Sequence, residues 1–463
     1  MHIGKTKQLQ RREFLRRASA LGLAGAAAPW ALNLAAIGEA AAASSAGGYK
    51  ALVCVFLYGG NDHGNTLVPY DPASHAAYQA IRQTLATPRE QLAATLLNPR
   101  LALPDGRQMA LAPALGRLKT IFDAGQLGVL LNVGTLVQPT TLAQYKAQSV
   151  PLPPKLFSHN DQQSVWQASG GEGSTSGWGG RLGDRFLQSN GNALFSCVNV
   201  AGNAVFMAGQ QAVQYQMSPA GAVQIEGISK PLFGSQACAD ALRSLITAPR
   251  SHLMENELNR VVARSIGAQG IVSGALSGLP PLTTPFDTGN ALAMQLQMVA
   301  RMIGARASLG VSRQVFFVSI GGFDLHDLLL AQHPGLLDSV GDALASFYQA
   351  TQELGVADQV TSFTASDFGR TLTSNGDGSD HGWGSHHFVL GGAVKGGRMW
   401  GTLPSVSVNG PDDVGQGRLL PTTSVDQLGA SLASWMGVSP TDLPLVMPQI
   451  GNYTTQDLGL FTA

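Results

Sequence analysis

Residues 51–58, Ala51-Leu52-Val53-Cys54-Val55-Phe56-Leu57-Tyr58, form an unbroken apolar run that stops on Gly59-Gly60-Asn61-Asp62. A run of this length without polar alternation fits a strand covered on both faces, the usual setting of a parallel sheet. Residues 127–133, 315–320 and 360–363 have the same character, and each is followed within a few residues by Gly, Asp or Asn. Between them, residues 292–307 carry Met294, Leu296, Val299, Met302 and Ile303 at helical spacing, and residues 336–354 do so through Leu337, Val340, Leu344, Phe347 and Leu354. Strands alternating with helices predict an α/β fold with a largely parallel central sheet flanked by helices. Residues 190–290 are rich in Gly, Ala, Ser and Gln, with weak periodicity, and read as an inserted cap over the sheet.

With 44% hydrophobic and only 13% charged residues, the chain has enough apolar material to offset its conformational entropy, which excludes general disorder. Lys+Arg and Asp+Glu balance at 29 each, so no basic excess supports a nucleic-acid partner. Residues 1–43 read as an export address: Arg11-Arg12-Glu13-Phe14-Leu15 precedes an Ala/Gly/Leu-rich run ending at Ala41-Ala42-Ala43. Paired arginines before Phe-Leu match a twin-arginine signal, with Gln10 standing where Ser or Thr is usual. Pro29, Asn33 and Glu39 interrupt the run and argue against a retained membrane span. Residues 44–463 then form a single exported domain, periplasmic or extracellular. Cys54 reads as a buried hydrophobe, whereas Cys197 and Cys238 are free to pair in an oxidising compartment.

His326, His333, His381, His386 and His387 crowd into a window that also holds Asp324, Asp367 and Asp380. Asp324 and His326 follow the strand at 315–320, and residues two apart in an extended segment point to one side. Asp367 follows the strand at 360–363, and Asp62 follows the first strand. Ligands of open α/β sheets bind beyond the carboxyl ends of strands, where these three Asp residues are delivered. The glycines of Asp380-His381-Gly382-Trp383-Gly384-Ser385-His386-His387 let that segment turn inward. Two carboxylates about 4 Å apart repel by about 4 kcal/mol at an effective dielectric near 20, so a cation, a shared proton or Arg370 must offset them. Mixed Asp and His ligands suit one or two divalent ions, with Zn, Mn, Fe and Ca as candidates for Asp62, Asp324, His326, Asp367, Asp380, His381 and His386. Ser158 precedes a helix-like stretch. It is either an anion-binding position at a helix start or a plain cap.

Gly59-Gly60-Asn61-Asp62, Ser158-His159-Asn160-Asp161-Gln162, Gly321-Gly322-Phe323-Asp324-Leu325-His326, Ser366-Asp367-Phe368-Gly369-Arg370-Thr371 and Asp380-His381-Gly382 together resemble the domain-of-unknown-function family 1501. The resemblance spans nearly the whole chain after residue 43. It implies export, an alkaline-phosphatase-like fold shared with sulfatases, and a metal centre over the sheet. By that similarity Asp62 is the first metal ligand and Ser158 the nucleophile; Arg370 is taken as a further catalytic residue. Asp324 and His326 form the second-metal pair, Asp367 is a later strand-end ligand, and His381 or His386 is the last His. Phe368 stands where related phosphatases have His, and no Cys/Ser-x-Pro-x-Arg sequence marks a formylglycine sulfatase.

The function these features imply is metal-dependent hydrolysis of phosphate or sulfate esters, on a small anionic ester or a polysaccharide. The alternative is a non-catalytic exported protein that keeps the fold for binding, including binding of a second exported protein. Redox chemistry is disfavoured, because CxxC is missing and Gly171-Glu172-Gly173-Ser174-Thr175-Ser176 lacks the third Gly of a dinucleotide loop.

Overall fold

A computed structural model describes residues 48–462; the export signal read at 1–43 lies outside them. Twelve strands follow one another along the chain: β1 Lys50–Leu57, β2 Leu67–Pro69, β3 Met109–Leu111, β4 Leu127–Gly134, β5 Cys197–Asn199, β6 Tyr215–Ser218, β7 Gly221–Ala222, β8 Arg313–Ile320, β9 Val360–Ser366, β10 Ser385–Leu390, β11 Arg398–Trp400 and β12 Thr423–Ser424. Ten of them make one sheet in the order β11-β4-β10-β9-β1-β8-β5-β6-β7, with β12 beside β4, while β2 and β3 form a separate ribbon. β1 pairs in parallel with β8 and β9, and β8 with β5. β10 runs antiparallel to both β9 and β4, so the sheet is mixed and mostly parallel.

The alternation of β1 explains its continuous hydrophobicity. Ala51, Val53, Val55 and Leu57 enter one core, packed with residues of the helices Ala291–Gly304 and Leu329–Glu353. Leu52, Cys54 and Phe56 enter the opposite core, with Trp166, Trp178 and residues of the helix Val425–Met436. All eight residues of β4 and all seven of β9 are buried for the same reason. The helices expected near 292–307 and 336–354 are the helices Ala291–Gly304 and Leu329–Glu353.

The segment 190–290, read as an inserted cap, contributes in part to the sheet itself. Its first part supplies β5, β6 and β7, which extend the sheet at one edge. Strands of two to four residues are too short for periodicity to betray them. A short helix, Glu226–Ser229, and two longer ones, Gln236–Thr247 and Leu253–Ser277, follow. Cys197 is buried in β5 and Cys238 is exposed on the first of these helices, so both are free thiols. Among the described residues, no helix is long and apolar enough to cross a membrane.

Candidate metal centre

The three central strands β9, β1 and β8 end side by side, and their outgoing loops carry Asp367, Gly59 to Asp62, and Asp324. The loops meet closely because residue 59 has no side chain. A Cβ there would lie 2.3 Å from the backbone N of Asp324, and Gly59 also holds φ +114°, a region L side chains rarely adopt.

Three imidazoles and one carboxylate converge above this junction. Nε2 of His381 lies 3.0 Å from Nε2 of His159 and 2.9 Å from Nε2 of His326. Asp324 Oδ1 is 3.1 Å from His326 Nε2 and 3.3 Å from His381 Nε2, and its Oδ2 is 3.3 Å from His159 Nε2. The opposite ring nitrogens are all engaged. His159 Nδ1 meets Asp367 Oδ2 at 2.6 Å, His326 Nδ1 meets Asp380 Oδ1 at 3.2 Å, and His381 Nδ1 meets the Phe157 carbonyl at 2.7 Å. These partners only accept, so the hydrogen-bond pattern assigns the Nδ1–H tautomer to each ring and turns three Nε2 lone pairs toward one another. Protons or a cation must lie between such atoms.

The electrostatics divide the same way. The Asp367 hydrogen bond, opposed by burial, raises the pKa of His159. Burial lowers that of His381. Burial opposes ionisation of Asp324, but the Arg370 hydrogen bond and charge, with His159 and His326, hold it below the usual carboxylate range. Phe157, whose carbonyl orients His381, has φ +71°, backbone strain held next to the cluster.

The residues singled out in the sequence separate into ligand-facing, supporting and remote groups. Asp324, His326 and His381 come together. Asp380 supports His326. Asp367 is buried in β9's exit, its Oδ2 accepting from His159, Gln163 Nε2 at 2.8 Å and Gly59 N–H at 3.2 Å, while Oδ1 has no partner among the described residues. Arg370 is fully buried. It donates to Asp324 Oδ1 at 2.7 Å, to the Gly59 carbonyl at 3.1 Å and to Ser379, so its guanidinium positions Asp324 and presents nothing to solvent. Ser158 precedes the helix His159–Ala168 and donates to Asp161 Oδ2 at 2.9 Å.

Asp62 and His386 do not face the cluster. Asp62 is buried, with Oδ2 bound by Arg82 at 2.6 Å and Ser379 Oγ at 2.9 Å and Oδ1 by the Asn65 N–H. Burial opposes its charge, yet Arg82, His333 and His63 together hold its pKa far below normal. An internal ion pair thus takes the place expected for a first metal ligand. His386 lies inside β10 and accepts the Asn132 N–H at Nδ1, 3.0 Å away, because residues 385–390 are a strand rather than the tail of the glycine loop. Sequence reasoning missed His159. The available signal was its place directly after Ser158, at the first turn of a helix aimed at the strand ends.

The donor set fits a divalent ion. Ligand atoms about 2.0–2.1 Å from an ion stand about 2.9 Å apart at octahedral and about 3.4 Å apart at tetrahedral angles; the approaches among His159, Asp324 and His381, 3.0 to 3.3 Å, fall in that interval, whereas His326 approaches only Asp324 and His381 and lies outside this compact group. Each ring is also braced by a carboxylate or carbonyl at Nδ1, as metal-ligating histidines are. The compact group among the described residues is His159, Asp324 and His381, with His326 against it.

A family model described as "Protein of unknown function (DUF1501)" matches residues 49–443. The chain belongs to this family. No curated protein matches it. Among solved structures, Ps i-CgsB in complex with k-i-k-neocarrahexaose aligns at 10% identity and TM-score 0.36, covering 88% of this chain and 77% of that one. The PsFucS1 sulfatase from Pseudoalteromonas sp. aligns at 10% identity and TM-score 0.36, covering 92% and 77%. The lipoteichoic acid synthase LtaP from Listeria monocytogenes aligns at 8% identity and TM-score 0.35, covering 86% and 76%.

Proposed function

We propose that this DUF1501 protein is an exported hydrolase of phosphate or sulfate esters that works with one divalent ion held by His159, Asp324, His326 and His381. The observation that carries the reading is the meeting of the His159 and His381 Nε2 lone pairs with the Asp324 carboxylate, His326 standing against Asp324 and His381 and each ring fixed from behind. Repulsion among those atoms is relieved by a cation more economically than by a buried proton network, since Asp324 is half exposed and reachable from solvent. When bound, a divalent ion supplies Lewis-acid stabilisation of the negative charge that builds on the ester oxygens.

The chain's own groups supply the rest. Arg370 holds Asp324 in place, and Asp367 and Asp380 hold His159 and His326. Ser158 is the candidate nucleophile: its hydroxyl donates to Asp161 Oδ2, a carboxylate placed to take the proton as Oγ bonds to phosphorus or sulfur. The bond to the ester's alcohol breaks with that oxygen protonated from solvent, and water then releases the group from Ser158. Residues 44–463 act as one domain after export by the twin-arginine route.

The test is turnover of aryl phosphates, phosphodiesters and aryl sulfates by purified protein supplied with Zn or Mn. Asp324→Ala is expected to lower kcat/KM by at least about 10³-fold and Ser158→Ala by at least about 10²-fold. Unchanged turnover in Ser158→Ala leaves the Ser158 hydroxyl only its structural hydrogen bond to Asp161. Ion binding with no turnover of any of these esters would move the protein to the non-catalytic binding class.

A further inference from the structure

Beside the centre lies a shallow cleft of about 260 Å³, open to solvent on one side. That is just under the range of whole small-ligand sites, roughly 300–1,000 Å³, and is room for one part of a larger ligand. It shares a wall with the centre. Gln163 lines the cleft and donates to Asp367, Tyr58 precedes the Gly59 whose N–H binds the same carboxylate, and Asn160 follows His159. The phosphate and sulfate reading leaves this space unused.

Its lining has a definite chemistry. Asn160, Gln163 and Asn203 offer carboxamides, Ser164 a hydroxyl, Glu172 a carboxylate and Tyr58 a phenol, and no Lys, Arg or His lines it. A carboxamide donates and accepts at adjacent atoms, which matches the paired donor and acceptor of neighbouring ring hydroxyls, and a carboxylate accepts from two of them. The cation beside it among the described residues, Lys155, is 3.8 Å from the Glu172 carboxylate and pairs with it, so no unbalanced positive charge faces the space, which disfavours an anionic group there. The side chains of Asn160 and Ser164 have no hydrogen-bond partner among the described residues, although Asn160 begins the first turn of a helix where such groups often turn back on the backbone. A peptide backbone would call for a free strand edge, whereas this wall is a helix face and a loop.

We infer that the cleft is a subsite for a neutral sugar ring next to the scissile ester, so that the substrate is a glycan bearing the phosphate or sulfate group. The ester half of this statement rests on the proposed hydrolase; the sugar half rests on the cleft alone. The open side leaves room for further rings of a polymer.

The test is binding of the purified full chain to an array of neutral gluco-, manno-, galacto-, xylo- and fuco-oligosaccharides that also carries unmodified peptides. Affinity for the strongest neutral oligosaccharide is then measured by titration calorimetry. Asn160→Ala and Glu172→Gln change side chains that are exposed and carry no core contact. Each is expected to weaken binding by at least about fivefold, the loss of one hydrogen bond to the ligand. Asp324→Ala, which empties the centre, is expected to leave neutral-glycan affinity within about twofold. No neutral oligosaccharide bound, binding confined to peptides, or affinity unmoved in both cleft variants overturns the inference. If neutral glycans bind through Asn160 and Glu172 but no ester is ever turned over, the cleft stands and the hydrolase reading falls.

Discussion

Lowering the pH should destabilise this fold through its buried histidines, before most of its carboxylates titrate. His63, His333, His386 and His387 are all buried. Burial pushes His63 and His333 down to about 4 and His387 to about 3, and drives His386 well below its ordinary value. Both ring nitrogens of His63 and Nε2 of His387 have no hydrogen-bond partner among the described residues, and the Asp62 carboxylate that favours charge on His63 and His333 is outweighed by burial and Arg82. A group held neutral in the fold but free to protonate near 6.5 when unfolded contributes stability that is complete above about pH 6.5 and is lost as pH falls toward its folded pKa. The loss is about 1.4 kcal/mol per pH unit per group, so between pH 6.5 and 5 each His forfeits about 2 kcal/mol and the four about 8. Two groups act in the opposite sense. Asp426, which burial raises to about 6, returns about 1 kcal/mol over the same interval. His159, raised by its Asp367 hydrogen bond, returns a further part. With Asp426 the loss is about 7 kcal/mol, which His159 reduces further; a loss of several kcal/mol is comparable to the whole stability of many domains. Urea unfolding at pH 7.5 and pH 5, in EDTA so that ion release does not contribute, measures it. Trp166 fluorescence is a local reporter, its ring 5.9 Å from that of His387. His387→Gln should shrink the difference between the two pH values by about 2 kcal/mol. Equal stability at both pH values, or a difference untouched by His387→Gln, refutes the reasoning.

Two further outcomes follow from buried contacts. Arg82→Ala leaves Asp62 charged in the core and should cost about 3–5 kcal/mol of unfolding free energy, whereas Arg82→Met paired with Asp62→Asn should recover much of it, both read by urea midpoint at pH 7.5. Gly59→Ala must displace the Asp324 backbone and hold an unfavourable φ, costing about 1–3 kcal/mol from the backbone alone; thermal melting and ion titration should both report it, with weaker ion binding as the diagnostic result.

How far the chain could be read in advance depended on whether the signal was local. β1, β4, β8 and β9 were legible because strands buried on both faces must be apolar throughout. Asp324, His326 and His381 were legible because strand ends and glycine loops deliver polar side chains to one edge. The Asp62–Arg82 pair was not, since Arg82 lies on a helix whose docking over the first loop has no local mark. His386 and His387 were grouped with the glycine loop because Ser385–Leu390 alternates too little to show that a strand begins at Ser385. His159 looked like part of a helix start, and only the tertiary meeting of that helix with the β8 and β9 loops gives it a role.

Elemental analysis of the purified protein, with titration calorimetry of the EDTA-treated form, bears most directly on the cluster. The account predicts close to one equivalent of a divalent transition metal in the wild type, falling by at least about tenfold in affinity when His159 or His381 is replaced by Ala, without a change in the urea midpoint beyond about 1 kcal/mol. A wild-type protein that neither carries nor takes up an ion, or one whose ion persists in both variants, would contradict it.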